Sequence, residues 1–400
     1  MNERSYLEKL LDGVEVEWKL LGDALFFEIA NNGRKPVKSS LRVSGKTPYY
    51  GANNIQDYVD GYTHDGEYVL IAEDGSVSLE CYSIQYTTGK FWANNHVHVV
   101  RGKSGVSSRF LYHYLHIVNF IPFLTGGVRA KLTKGQLVEI PVPIPCPDNQ
   151  EKSLAIQSEI VRILDTFTAL TVELTAELSM RKKQYNYYRD QLLSFDDGEV
   201  EWKPLGDIGE VRMCKRILKS QTTSEGDIPF YKIGTFGKKP DAYISRSLFN
   251  EFKERYSYPN AGEVLISASG TIGRAVIFDG KESYFQDSNI VWIENDEKII
   301  LNKYLYYFYQ IAKWGVSEGG TIQRLYNENL RKLEIPVPFS GNPEKSLAEQ
   351  ARIVRILDKF DTLTNSITEG LPREIELRQK QYKYYRDMLF SFPKPEVAEA

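Results

Sequence analysis

The chain has 400 residues, of which 42% are hydrophobic and 26% charged, and its formal net charge is −3 at pH 7. This length predicts two or three domains with a core in each, and a mean hydropathy of −0.39 excludes membrane spans. Three widely spaced cysteines exclude a disulfide framework or a zinc ribbon. With no apolar signal core at the start, we expect a cytoplasmic protein, and any contact with nucleic acid must use local positive charge.

An internal repeat with a period of roughly 190 residues organises the chain. Four stretches return in order: 16–19 (VEWK) as 200–203, 140–143 (IPVP) as 335–338, 151–155 (EKSLA) as 344–348, and 181–195 (RKKQYNYYRDQLLSF) as 378–392 (RQKQYKYYRDMLFSF). The N-terminal residues 6–18 also resemble 189–202, so the chain starts with a fragment of the segment that joins the two copies, which we call the connector. This arrangement predicts pseudo-two-fold symmetry with both termini near one point.

The similarity between the two copies is uneven. The stretches around 150–195 and 343–392 nearly coincide, whereas those between them share only their edges. We expect this pattern when near-identical connectors hold two recognition domains, which we call heads, of different sequence. We therefore divide the chain into an N-terminal connector-end fragment (1–14), a first recognition domain (15–148), a first helical connector (149–196), a second recognition domain (197–342), and a second connector with the tail (343–400).

In the first recognition domain, residues 46–56 (KTPYYGANNIQ) combine groups that suit DNA. Asn and Gln can pair bidentately with adenine, and an aromatic ring can pack on a thymine methyl group. Lys46, Tyr49, Asn53 and Asn54 are the candidates here, although a tyrosine in such a stretch is more often part of a core.

A predicted strand at 68–72 runs into a turn that contains Ser76, and a glycine-containing loop carries Arg129 and Lys131. Such polar loops can reach base edges or phosphates. A solvated turn explains any one of these residues equally well.

Two histidine pairs, 96/98 and 113/116, have spacings that a metal could use. Neither pair has an equivalent in the second copy, so we expect an exposed strand face and a helix surface, and no metal site. Nucleotide loops, nucleophile elbows and methyltransferase motifs are also missing from the sequence. We therefore expect no catalytic site in this chain.

The first connector predicts a long helix with a coiled-coil-like seam, because its apolar residues alternate in steps of three and four. The seam comprises Ile160, Ile163, Phe167, Leu170, Leu174 and Leu178. A helix of about 40 residues is about 60 Å long and too narrow in its apolar stripe to stand alone, so the two connectors should pair antiparallel. Ser153 and Ser346 are the predicted N-caps.

Two details distinguish the connectors. Two consecutive T-x-E-L tetrads occupy 171–178. Adding or losing one tetrad would change the helix length by about 6 Å and would leave nearly the same helix face towards its partner. The second connector has EGLP at 369–372, which should kink or interrupt its helix; a simple break and a spacer role are equally good explanations.

The second recognition domain has its own counterparts of the loop residues. Lys232 lies in 227–234 (DIPFYKIG), the counterpart of 46–56, a predicted strand at 263–267 leads into a glycine-containing turn, and another glycine-containing loop precedes 335–338. The candidates in these loops are Ser269, Thr271, Arg274, Gln323 and Arg324. The net charge is about +1 over 15–145 and about zero over 199–340, which excludes binding by bulk electrostatics.

The divergent heads, the near-identical connectors, IPVP before each connector, and Q-x-x-I-V-x-I-L-D at 157–165 and 350–358 together resemble one family. The chain is similar over its whole length to the specificity subunit of a Type I restriction–modification system. The resemblance implies an α+β fold: two mixed α/β target-recognition domains separated by two long antiparallel α-helices. Each domain would read one half of a bipartite double-stranded DNA site, and the helices would set the spacer.

The resemblance also implies partners. Two methyltransferase subunits would dock on the helices and methylate adenine, and two restriction subunits would complete an ATP-dependent endonuclease. S-adenosylmethionine, ATP and Mg would then lie on those partners, with no cofactor in this chain. The candidate partner contacts are Tyr185, Tyr188, Arg189, Tyr382, Tyr385 and Arg386.

One alternative from another class remains open. A duplicated scaffold that binds proteins through both heads, without contacting DNA, would suit the weak charge. A self-contained DNA-modifying enzyme would need a cofactor site that the sequence lacks.

Overall fold

The computed structural model describes residues 6–126, 130–196, 200–315 and 324–393. The chain forms two compact units, one of Met1–Thr175 with Glu374–Ala400 and one of Ala176–Arg373. None of the helices in the described part of the chain has a run of apolar residues sufficient to span a bilayer. Both units mix helices and strands, which confirms the predicted α+β class.

The first unit is built mainly from short strands. Its elements in chain order are α1 (Tyr6–Leu11), β1 (Val16–Leu20), β2 (Phe27–Ile29), β3 (Ser44–Tyr50), β4 (Ile55–Val59), β5 (His64–Asp65), β6 (Tyr68–Ala72), β7 (Ile84–Thr87), β8 (Lys90–Ala93), β9 (Val97–Gly102), α2 (Ser108–Leu115), α3 (Lys134–Leu137) and β10 (Pro141–Pro145). The long helix α4 (Gln150–Leu192) follows and contributes residues to both units.

Two four-stranded sheets form the head of this unit, with the strand orders β2-β9-β6-β7 and β4-β3-β8-β5. The pair β3 and β8 is parallel. Strand β6 (YVLIA) is buried along its whole length because successive side chains enter two different cores. Val69 and Ile71 join the core that contains α2, whereas Tyr68 and Leu70 join a second cluster with Phe91.

The second unit repeats this plan. Its elements are β11 (Val200–Pro204), α5 (Leu205–Ile208), β12 (Glu210–Arg212), β13 (Ile228–Tyr231), β14 (Tyr243–Ile244), α6 (Arg246–Arg255), β15 (Val264–Ser267), β16 (Ala275–Ile277), β17 (Tyr284–Phe285), β18 (Ile290–Glu294), α7 (Asn302–Tyr309), α8 (Asn327–Lys332), β19 (Glu334–Pro338) and α9 (Pro343–Asn365). Helix α10 (Leu371–Leu389) follows, and from Glu374 onward it belongs to the first unit. The strand orders are β12-β18-β15-β16 and β14-β13-β17, and β13 and β17 pair in parallel as β3 and β8 do.

The repeated edges of each recognition domain pair with each other. Strand β1 (VEWKL) lies antiparallel to β10 (PVPIP), and β11 (VEWKP) lies antiparallel to β19 (EIPVP). Both pairs are two-stranded ribbons, and an edge strand tolerates proline because its outer N–H groups need no partner. The two repeated sequences therefore lie side by side where each head begins and ends.

The connectors form paired helices within each unit. In the first unit, Phe167 of α4 stacks on Tyr385 of α10 with ring centroids 5.2 Å apart, and Ile160 and Leu164 share a core with Leu389. The contacts run in opposite chain directions, so the predicted antiparallel pairing is confirmed there. In the second unit, Tyr188 of α4 stacks on Phe360 of α9 at 5.5 Å.

The seam differs from the prediction at two positions. Leu170 is 37% exposed, whereas Leu164, which was not included, is fully buried. The buried line starts with polar residues, Ser153 and Gln157, whose positions a search for apolar residues passes over.

The predicted N-caps are wrong. Ser153 and Ser346 lie buried inside their helices. The caps are Asn149 and Asn342, whose side-chain oxygens accept from Lys152 N at 3.0 Å and from Lys345 N at 3.1 Å. Asparagine satisfies the free N–H groups of the first turn as serine does, and each cap lies four residues upstream of the predicted serine.

The second connector is interrupted, as its sequence predicts. Helix α9 ends at Asn365 and α10 begins at Leu371. Gly370 between them has φ +82°, and a Cβ at this position would lie 2.4 Å from Thr362 O. Both the left-handed conformation and the close approach require glycine.

Each connector is fixed to its head by the same two side chains of the repeated motif. Gln157 accepts from Ser107 N (2.9 Å) and donates to Gly105 O (2.8 Å), just before α2. Its counterpart Gln350 accepts from Leu301 N (2.9 Å) and donates to Ile299 O (2.8 Å), just before α7.

The aspartate at the end of the motif makes the second attachment. Asp165 accepts from Arg109 (2.7 Å) and lies 2.7 Å from His113 Nε2, both on α2. Asp358 accepts from Lys303 (2.6 Å) and Tyr307 Oη (2.7 Å), both on α7. The motif thus orients each head on its helix.

The described ends of the chain meet in the first unit, as the symmetry predicts. Leu7 and Leu11 of α1 belong to the same core as Leu389 and Phe390. Trp18 Nε1 also donates to Pro393 O at 2.7 Å.

Candidate nucleic-acid interface

In the first unit, the candidate residues converge on the turn that follows β6, which we call the β6 turn (73–78). Asn53 fixes this turn from the neighbouring loop: its Nδ2 donates to Gly75 O (2.9 Å), and its Oδ1 accepts from Val77 N (3.1 Å) and Ser83 Oγ (2.6 Å). Ser76 Oγ lies 2.7 Å from Ser78 O and accepts from Ser83 N at 3.0 Å. These bonds hold the turn in one conformation.

The base of the β6 turn is an ionic cluster. Glu73 accepts from Arg34 at 2.5 Å and from Lys131 at 2.9 Å. Burial opposes ionisation of this carboxyl, but the hydrogen bonds from Arg34 and Lys131 outweigh that cost and lower the pKa of Glu73 below its usual value. Next to it, Asp74 lies 2.5 Å from His96 Nδ1.

In the second unit, the candidates gather at the equivalent turn after β15, which we call the β15 turn (268–274). Ser269 Oγ donates to Asn289 Oδ1 at 2.8 Å, and Arg274 donates to Phe236 O at 3.1 Å. Arg324 donates to Ser288 O at 2.9 Å, and the side chain of Thr271 is exposed at the tip.

The two turns have the same backbone bonds. Glu73 N donates to His96 O (2.9 Å) and Ala268 N to Asn289 O (2.8 Å), while Glu73 O and Ala268 O accept from Leu132 N and Leu325 N, each at 2.8 Å. An isolated antiparallel bridge joins Asp74 to Lys131, and another joins Ser269 to Arg324. The same positions therefore carry different side chains in the two units.

Other predicted residues lie around these turns or away from them. Asn54 is exposed beside Asn53, and Lys46 is exposed on β3. Lys232 follows β13 and pairs with Asp241 at 2.9 Å. Its neighbour Ile233 lies 3.5 Å from where a Cβ on Gly270 would be, so this loop adjoins the β15 turn.

Tyr49 does not present its ring to solvent. It is fully buried, with its hydroxyl accepting from Val37 N at 3.0 Å and its ring stacked near Trp92 at 6.3 Å. The burial follows from its place in β3, which pairs on both sides. We therefore leave Tyr49 out of the candidate surface. The predicted candidates Arg129 and Gln323 lie outside the described residues.

The candidate partner contacts differ in exposure. Tyr185 is buried and donates to Gln310 at 2.9 Å, and Tyr382 is partly buried against the core of the first unit. Tyr188 and Tyr385 stack on Phe360 and Phe167. Arg189 and Arg386 each pair with the aspartate that follows them, Asp190 and Asp387.

The most exposed tyrosines of the connectors were not among the predictions. Tyr187 is 61% and Tyr384 66% exposed, at equivalent positions of the repeat. Helical spacing could have found them, because Tyr187 lies about 200° around the helix from the buried Tyr185.

The histidines are not the exposed pairs that we expected. His98 and His113 are buried: His98 lies between Asn31 and Leu132 O, and His113 is held by Asp165. Only contacts with residues far away in the sequence make this visible. Nowhere in the described ranges do three His, Cys, Asp or Glu side chains come together as a metal site.

Comparisons with known proteins agree with this architecture. The family model of the Type I restriction modification DNA specificity domain matches residues 14–181 and 198–377. A putative type I restriction enzyme specificity subunit of Haemophilus influenzae is 66% identical over 399 residues, which cover 98% of this chain and 99% of that protein.

The EcoR124I/EcoR124II specificity subunit of Escherichia coli is 39% identical over 432 residues and 99% of both chains. The crystal structure of the S subunit from M. genitalium has the same fold, with a TM-score of 0.60 at 15% identity over 96% of this chain and 98% of that one. With two matched domains and relatives similar over their full length, the chain belongs to the family of Type I restriction–modification specificity subunits.

Proposed function

We propose that each unit reads one half of a bipartite double-stranded DNA target, using the β6 turn in the first unit and the β15 turn in the second. One observation carries this proposal: a shared set of backbone hydrogen bonds positions different polar side chains at the same place in the two heads. Side chains on a fixed backbone can specify bases without a change of fold.

The charges of the turns favour readout in a complex over binding by the chain alone. Glu73 pairs with both Arg34 and Lys131, and Asp241 pairs with Lys232. Cations that are already paired gain less from contact with phosphates, so part of the electrostatic contribution to DNA binding is expected from partners.

Two methyltransferase subunits are the proposed partners on the helices, and two restriction subunits complete the assembly. The exposed Tyr187 and Tyr384, related by the repeat, offer equivalent contacts, and tyrosine is enriched at protein interfaces. In this complex the specificity subunit supplies the target site. S-adenosylmethionine, ATP and Mg belong to the partners.

The test is DNA binding and adenine methylation by the chain purified with its methyltransferase partner. We expect one bipartite motif, with an unmodified spacer between two specified halves. Methylation without sequence preference would contradict the proposal, and tight partner binding with no effect of DNA would favour the protein-binding scaffold.

The T-x-E-L tetrads in α4 give the spacer its own test. Inserting one further tetrad adds about 6 Å of helix while nearly preserving the face it presents. We expect the spacer of the methylated motif to lengthen by one or two base pairs with both halves unchanged. An unchanged spacer would contradict a spacing role for the helix.

A further inference from the structure

Val77, at the tip of the β6 turn, combines exposure with a fixed position. Its side chain is apolar and 84% exposed. A single exposed valine is common on protein surfaces. This one is unusual because the hydrogen bonds of Asn53, Ser76 and Ser83 hold the turn around it, one of them on its own N–H group.

The same hydrogen bonds give Asn53 a role other than contact with a base. An asparagine side chain has two donor hydrogens and two acceptor lone pairs. Asn53 uses both acceptor positions, for Val77 N and Ser83 Oγ, and one donor, for Gly75 O. Bidentate pairing with adenine needs a free acceptor and a free donor. Asn53 is therefore a positioning residue, and the side chain that it presents is Val77.

We propose that Val77 contacts the 5-methyl group of a thymine in the major groove of the first half-site. This inference rests on the proposed function. An apolar side chain has no donor or acceptor for base edges, and the thymine methyl is the one apolar group that the four bases present in the major groove. The equivalent residue in the second unit is Ile272, which is partly buried against the core of that unit, so the exposed apolar contact belongs to the first half-site alone.

The experiment uses the complex of the full chain with its methyltransferase partner and a duplex that carries its methylated motif. Each thymine of the first half-site is replaced in turn by deoxyuridine, which lacks only the methyl group. At one position we expect the affinity of the unsubstituted protein to fall about fourfold, the value of one buried methyl group.

The variant Val77→Ala should bind the thymine duplex about fourfold more weakly and should be insensitive to deoxyuridine at that position. Because Val77 is exposed, this change leaves the core intact. Asn53→Ala should reduce the sensitivity to deoxyuridine without removing any group that touches the base. The matched control, Thr271→Ala, should keep full sensitivity in the first half-site.

The outcomes separate the two proposals. A complex without sequence preference overturns the proposed function and this inference with it. A selective complex overturns the inference alone if no thymine of the first half-site is sensitive, if that half-site contains no thymine, or if Val77→Ala remains as sensitive as the unsubstituted protein.

Discussion

The β6 turn and the β15 turn share their backbone hydrogen bonds but not their side chains. Glu73, Asp74 and His96 form an ionic cluster in the first unit, where the second unit has Ala268, Ser269 and Asn289. Main-chain bonds do not depend on residue type, so the side chains at these positions can change without loss of the fold. The comparison explains how one frame can carry two specificities.

The attachment of each head to its helix shows the opposite behaviour. There the bonds use side chains, Gln157 and Asp165 in one unit and Gln350 and Asp358 in the other. These residues match in the repeat because each is needed for a bond that the backbone cannot make by itself. Substitutions of the attachment residues and of the turn residues test this contrast.

The largest effect is expected from Gln157→Leu and Gln350→Leu. Each change removes two hydrogen bonds to the backbone just before α2 or α7, one to an N–H and one to a carbonyl, at a cost of about 2–3 kcal/mol. Hydrogen exchange should show faster opening of α2 in the first variant and of α7 in the second. Equal exchange of both helices in both variants would mean that the glutamines do not fix the heads individually.

A smaller and unequal effect is expected from the aspartates. Asp165→Asn removes the charge that pairs with Arg109 and weakens the hydrogen bond with the fully buried His113, and should destabilise α2 by about 1–2 kcal/mol. Asp358→Asn keeps an acceptor for Tyr307 and loses only the exposed Lys303, at a cost of about 0.5 kcal/mol. A larger loss of stability in the second unit than in the first would contradict this expectation.

The smallest effect concerns pH and is confined to the first unit. Because the pKa of Glu73 is lower in the folded chain, its stabilisation is complete above the unfolded value of 4.5 and is lost as the pH falls through the lower folded value. Glu73→Gln should therefore lower the melting temperature at about pH 7, and its difference from the unsubstituted protein should shrink as the pH falls below 4.5.

Glu139→Gln, on an exposed residue, is the control for the loss of one carboxylate. A difference between Glu73→Gln and the unsubstituted protein that stays constant across the pH range would show that the Glu73 ion pairs do not contribute.

The repeat made much of the fold predictable from the sequence. Two copies of VEWK and IPVP marked the edges of each head, and residues 369–372 marked the helix break. The helix starts were missed because Asn149 and Asn342 are as capable of capping as the nearby serines. Leu164 was missed because the buried line that leads to it begins with the polar Ser153 and Gln157, which a search for apolar residues does not include.

For the candidate site, the sequence predicts which loops are involved but not what each side chain does. Ser76 and Ser269 lie in the two turns, which are recognisable locally, and Lys131 and Arg324 lie on segments that bridge to them; their contact with DNA stays a prediction. The roles of the side chains were not predictable. That Asn53 serves Val77, or that Lys131 is held by Glu73, depends on residues tens of positions apart that meet only after folding.

The most direct test of the central claim is the methylated motif of turn variants, determined by sequencing modified DNA after reaction with the partner complex. Thr271→Ala with Arg274→Ala should relax or change the second half-site and leave the first intact; Val77→Ala should affect the first half-site alone. If either variant altered both halves together, or if neither altered any, the two turns would not be independent readers on a common frame.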